Sequence, residues 1–207
     1  FEIKNWKQLD FPKHELMKGV HCQLEPLNWE KHGVDLFTAN QLDNDDSSWT
    51  YMFYGPFENI DAYRNWVIGC INGKDPQFYA IIDVKTKKAV GVSSFLRIDP
   101  INGCIEVGHL FFSPLLRNTI ASTEAMYLMM RRVFELGYRR YEWKCHSLNK
   151  PSRVAAQRLG FSYEGIFRQA VVVKGRNRDT AWYSIIDIEW HELQKVYLKW
   201  LAPDNFN

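Results

Sequence analysis

The sequence predicts an α/β protein with a mixed central β-sheet flanked by helices. Three observations predict it. From residue 78 onward, runs rich in β-branched and aromatic residues alternate with turn residues. Two later segments change to a helical period. The chain then returns to β-rich runs that close as a hairpin, and strands mixed with helices in this way build one layered sheet. The 207 residues are enough for one sizeable core, and 1–207 is read as a single domain with a 1–20 N-terminal extension.

Each element has its own signal. Segment 21–27 reads as a strand, and 29–40 and 59–72 as helices. W-T-Y-M-F-Y-G-P-F at 49–57 is a dense aromatic loop. F-Y-A-I-I-D-V at 78–84 and A-V-G-V-S-S-F-L-R-I at 89–98 are strands around a polar K-T-K-K turn. D-P-I-N-G at 99–103 turns the chain into C-I-E-V-G-H-L-F-F at 104–112, which stops at Ser113 and Pro114 because proline has no N–H for a ladder. Ala125, Leu128, Met129, Val133 and Leu136 share one face of a helix over 123–136, ended by Gly137. Segment 138–146 is a strand. Asn149 and Pro151 open a helix that runs to Leu159 and Gly160. Segments 161–173 and 180–188 close the chain as a hairpin around K-G-R-N-R-D.

Composition excludes several classes. The net charge of +2 is too small to argue for nucleic acid or an anionic membrane. Apolar runs are too short for a transmembrane helix. The first ten residues have no apolar core, so no secretory leader is expected, and a cytoplasmic location is. Cysteines 22, 70, 104 and 145 have neither Cys-x-x-Cys nor zinc spacing, which predicts free thiols and no metal.

Three blocks carry a family resemblance: I-E-V-G-H-L-F-F-S-P (105–114), R-N-T-I-A-S-T-E-A (117–125) and S-L-N-K-P-S-R-V-A-A-Q-R-L-G-F (147–161). Their order resembles the GNAT superfamily of N-acetyltransferases, within it the RimJ/RimL ribosomal-protein branch, which G-P-F at 55–57 also fits. The resemblance implies the GNAT fold, with a V-shaped splay between the central strands. It implies acetyl-CoA as donor. The diphosphate would sit on Arg117, Asn118, Thr119, Ile120, Ala121, Ser122 and Thr123, the pantetheine arm on Asn149 and Ser152, and the thioester oxygen on the backbone of Leu110, Phe111 and Phe112. A strand that enters a helix through a short loop suits a pyrophosphate, because orphan amides and the helix dipole meet it there. Ile120 and Ser122 stand where the family places glycines. Either the donor lies slightly differently or the site is lost, and retained binding is the expectation.

Acetyl transfer to an amine needs a proton acceptor, oxyanion donors and a proton for the leaving thiolate. Glu106 is the candidate base, since a carboxylate among apolar strand residues is costly without a task or a partner; an ion pair with an arginine is the alternative. His109 lies three residues on, opposite Glu106 in a regular strand unless a bulge intervenes. Ser152 is the candidate acid, with a proton taken directly from solvent as the other reading; Ala156 stands where many relatives carry a tyrosine. Trp49, Tyr51, Tyr54 and His109 are candidates for the acceptor wall, with core packing as the other reading of the aromatics. Asp43, Asp45 and Asp46 either attract a cationic amine or form a solvated loop. The basic turn at 174–178 is either a solvated face or a meeting point for an anionic substrate portion. The leading function is therefore an N-acetyltransferase acting on a peptide N-terminus or a small-molecule amine, as monomer or homodimer. A degenerate, non-catalytic domain that binds CoA or another ligand as a sensor or scaffold is the alternative.

Overall fold

A computed structural model describes residues 2–43 and 45–206; Phe1 and Asn207, the ends of the expected domain, lie outside the described residues. Among the described residues eight strands form one sheet: β1 (Met17–Lys18), β2 (Cys22–Pro26), β3 (Gln77–Asp83), β4 (Ala89–Asp99), β5 (Cys104–Phe112), β6 (Arg140–His146), β7 (Ser162–Val173) and β8 (Arg176–Ile186). Their order is β1-β2-β3-β4-β5-β6-β8-β7. Of these strands only β5 and β6 pair in parallel, with the helix between them as the crossover that a parallel pair requires. Flanking the sheet are helices α1 (Trp29–Asn40), α2 (Ile60–Ile71), α3 (Ile120–Glu135), α4 (Lys150–Arg158) and α5 (Asp187–Trp200).

The sheet separates two cores. On one face Tyr79, Ile81, Phe95, Ile105, Val107, Tyr141 and Tyr183 pack with Met126, Met129 and Val133 of α3 and Trp190 and Tyr197 of α5. On the other, Phe78, Ala80, Ile82 and Val92 pack with Leu36 of α1 and Tyr63 and Val67 of α2. Alternation along each strand sends successive residues to opposite faces.

Three departures from the sequence-based expectation matter. Segment 187–200 is helix α5, where the sequence predicts a strand running to residue 188 and no helix beyond it. The helix expected from Thr123 begins at Ile120, because Thr119 caps it by accepting from the Ser122 N–H at 3.2 Å. The closing turn is shorter than expected, since β8 already begins at Arg176.

The N-terminal segment is fastened along the sheet. The Trp6 indole donates to the Ile101 carbonyl at 2.9 Å, and the Gln77 amide to the Pro12 carbonyl at 2.7 Å. Its anchor is Glu124 on α3, only 4 % exposed. That carboxylate accepts from the backbone N–H groups of Val20, His21 and Cys22 at 2.8, 2.7 and 2.7 Å. Gly19 is needed beside it, because a Cβ there would collide with the Glu124 carboxylate.

Candidate active site

The site grows from the parting of the two central strands. The β5–β6 ladder covers Cys104 to Val107, opposite Arg140 to Trp143, and ends there. Beyond it β5 stays paired with β4 to Phe112, and β6 with β8 to His146. This is the V-shaped splay. It leaves the β6-facing edge of residues 108–112 without a ladder partner, so its backbone groups are available to a ligand.

A bulge sits at the mouth of the splay. Gly108 and Phe111 face Ser94 and Val92, so His109 and Leu110 together oppose Ser93 alone. His109 takes φ 51°, a left-handed conformation uncommon for a non-glycine residue. The regular-strand expectation that His109 lies opposite Glu106 is thereby corrected. Ile105 and Val107 enter the α3-side core, so Glu106 between them points to the other face. The His109 ring is on that face too, 4.8 Å from Phe78 and 5.7 Å from Tyr54 between ring centres. Its Nδ1 lies 3.1 Å from the Tyr54 hydroxyl. Burial, helped by the Arg97 charge, pushes its pKa down to about 4, so the imidazole is neutral at pH 7.

Glu106 is 3 % exposed and bound by two cations. Arg97 Nη1 donates to both of its oxygens at 2.8 Å, and Lys144 Nζ to Oε2 at 2.7 Å. Lys144 also holds Glu142 at 2.7 Å, and Arg140 joins Glu142 at 2.6 Å to Glu164 at 2.5 Å. Burial alone would raise Glu142, but Lys144 and Arg140 hold its carboxyl below the usual value. The row thus alternates three cations with three carboxylates. At its Arg97 end the partners differ in access: the Arg97 side chain is 59 % exposed and that of Glu106 4 %.

The aromatic loop lies across this face. Trp49 is buried and stacks on Phe111 at 3.9 Å, so it serves packing. Tyr51 donates to the Leu148 carbonyl at 3.2 Å and meets the His146 ring edge-on. Tyr54 lines a cleft of about 500 Å³ with Trp66, Cys70, Pro76, Phe78 and His109. The hairpin tip clasps the loop: Lys174 Nζ donates to the carbonyls of Gly55 and Trp49 at 2.8 and 3.2 Å. A purely solvated basic turn is therefore not what forms.

On the α3 side, Ile120, Ala121, Ser122 and Thr123 belong to the first helical turn and not to a loop. The Ser122 hydroxyl donates to the Thr119 carbonyl at 2.7 Å, and Thr123 accepts from Arg158 at 3.2 Å. The Ser122 amide is taken by the Thr119 cap, which leaves the Ile120 and Ala121 amides as the orphan donors of this helix end. Arg117 donates to Asp43 at 2.8 Å, while its buried Nε has no partner among the described residues. Burial raises Asp43, yet its bonds to Arg117 and Ser48 outweigh that and hold the carboxyl low, so Asp43 is engaged already. Asn118 is left-handed at φ 59° and exposed. Across the splay, Asn149 caps α4 by accepting from the Ser152 N–H at 3.1 Å. The Ser152 hydroxyl accepts from the Trp143 indole at 3.0 Å and lies beside the Cys145 thiol. Leu110 and Phe112 are half-buried at the splayed end of β5.

The parted central strands, with a helix N-terminus on either side, match what comparison with known proteins finds. The acetyltransferase (GNAT) domain family matches residues 23–162, and this chain belongs to it. A GCN5-related N-acetyltransferase from Brucella melitensis is 46 % identical with TM-score 0.97, covering 99 % of this chain and 93 % of its own. The uncharacterized N-acetyltransferase p20 of Bacillus licheniformis is 29 % identical over 145 residues, 68 % of this chain and 80 % of that one. The RimL ribosomal L7/L12 alpha-N-protein acetyltransferase shares the fold at 22 % identity and TM-score 0.70, over 83 % of this chain and 94 % of that chain. The chain is thus an acetyltransferase of the GNAT class, a class that draws its acetyl group from acetyl-CoA. Among the described residues no helix is long and apolar enough to cross a membrane.

Sequence reasoning does not single out Arg97, Lys144 or Arg178 as members of one site. Arg97 sits at a strand end that looks like ordinary surface, and Arg178 is legible only as the last residue of a basic turn. Lys144 and Arg178 come from different strands, β6 and β8. Alternation, which places Lys144 and Glu142 on one face of β6, is the one available signal.

Proposed function

We propose that the chain transfers the acetyl group of acetyl-CoA to a primary amine by direct attack, with both substrates held in the splay. The observation that carries this reading is the end of the β5–β6 ladder at Val107, between the N-termini of α3 and α4. The residues present fit the donor: the first turn of α3 offers amides to a diphosphate, and the open edge of 108–112 offers N–H groups to the thioester oxygen. Arg117, with an unpartnered buried Nε, stands beside the first of these.

Glu106 has a role consistent with its ion pairs. Arg97 is its exposed partner, and the acceptor's ammonium replaces that guanidinium on the carboxylate. The ammonium gives a proton to Glu106. The freed lone pair attacks the thioester carbon and a C–N bond forms; as the C–S bond breaks the nitrogen releases its second proton to solvent, and Glu106 returns its own proton to solvent to reset the site. Ser152 donates its proton to the departing thiolate and recovers one from solvent. His109 and Tyr54, both neutral, line the acceptor side, with Tyr51 beyond them.

Calorimetry with acetyl-CoA, followed by an amine screen, tests the reading. One-site binding and turnover are expected. Glu106→Gln is expected to lower kcat by roughly 100- to 1,000-fold with acetyl-CoA affinity retained. Unchanged turnover in that variant removes Glu106 from the proton path.

A further inference from the structure

Arg178 is left over from the charge pairing of the site. It is 8 % exposed, and its Nε has no hydrogen-bond partner among the described residues. No ion pair of the described residues includes it, whereas Arg97, Lys144 and Arg140 are matched by Glu106, Glu142 and Glu164. Burial of this guanidinium is only partly offset by the Glu106 charge, with no direct ion pair among the described residues, and an incoming anion would relieve that cost.

Its position ties it to the acceptor side. Along β8, Thr180 and Trp182 face His146 and Lys144 of β6. Arg178 is one same-face step beyond Thr180, about 7 Å along the strand. The Phe53 ring of the aromatic loop covers the guanidinium, 4.8 Å from its carbon. The Arg178 charge acts on Cys145 and on His146, whose imidazole is held low first by burial and then by this charge. The neighbouring Asp179 carboxylate is turned to the Gln169 N–H and the Asn177 amide, at 2.7 and 2.9 Å.

We propose that Arg178 receives a carboxylate carried by the amine acceptor, so that the substrate class is a small amino-carboxylate. A guanidinium presents paired donors that match a carboxylate's two oxygens. The acceptor is then held at both ends, its ammonium on Glu106 and its carboxylate on Arg178. This rests on the acetyl-transfer reading above.

The test separates the two. Free amino acids, their carboxamides, phosphoethanolamine, ethanolamine and a neutral tetrapeptide are assayed as acceptors. The matching N-acetyl amino acids and N-acetyl carboxamides are titrated by calorimetry into the CoA-loaded protein, which needs no turnover. A carboxylate advantage of roughly 10- to 100-fold is expected in both assays. Arg178→Met is expected to abolish it, and Arg178→Lys, which keeps the charge and is the gentler change to the fold, to retain part of it. Equal handling of acid and amide overturns the proposal, as does a preference for the tetrapeptide or for phosphoethanolamine alone. A loss of acetyl-CoA affinity in Arg178→Lys that matches the acceptor loss also overturns it, since the arginine then serves the donor. Failure of acetyl-CoA to bind the unaltered protein strikes the acetyl-transfer reading instead.

Discussion

Glu124 and Glu106 are both buried carboxylates, at 4 % and 3 % exposure, and their surroundings differ in kind. Glu124 is satisfied by three backbone amides of the β1–β2 turn, which no solute can displace without opening the chain. Glu106 is satisfied by two side-chain cations, one of which reaches solvent. The contrast teaches that burial alone does not separate a structural carboxylate from a candidate catalytic one. What separates them is whether a partner can leave.

Glu124→Ala should break the structural side of the comparison. Three amides lose their acceptor, and about 3–5 kcal/mol of stability should go, read as a fall in Tm of roughly 10 °C. A fall of a degree or two would show that water replaces the carboxylate freely.

The acid limb of stability is expected next. His109 has a folded pKa of about 4, below its value in an unfolded chain. The unfolded state therefore takes up a proton first as pH falls. Stability is full above about pH 6.5 and is lost progressively down to about pH 4, by about 3 kcal/mol. His14 and His32, both lowered chiefly by burial, act in the same direction. His109→Gln should flatten this part of the urea-midpoint profile, and an unchanged profile would place the lost stability elsewhere.

Ser152→Ala carries the smallest effect. The Asn149 cap bonds to the backbone N–H and survives the change. If the hydroxyl protonates the thiolate, kcat should fall roughly 10-fold with the Tm little moved. An equal loss of Tm and kcat would make Ser152 a partner of Trp143 only.

Much of the fold around the splay was legible in sequence. Asn149 and Pro151 announced the start of α4, and β5 was bounded correctly by Gly103 and Pro114 because turn chemistry is local. The helix α5 was not legible: Ile188, Val196 and Leu198 are 80, 63 and 55 % exposed, so apolar residues ring the helix and blur its stripe. The bulge at His109 was not legible either, since it depends on register against β4.

By itself the sequence determined strands β3, β4 and β5, the cap of α4 and the carboxylate set among apolar residues of β5, because period, turn residues and capping act within a few neighbours. Tertiary structure alone decided which cations meet Glu106, that the aromatic loop closes over the split sheet, and that Arg178 is left without a direct ion pair among the described residues. Those pairings join residues far apart in the chain, and only the assembled sheet brings them within reach of one another.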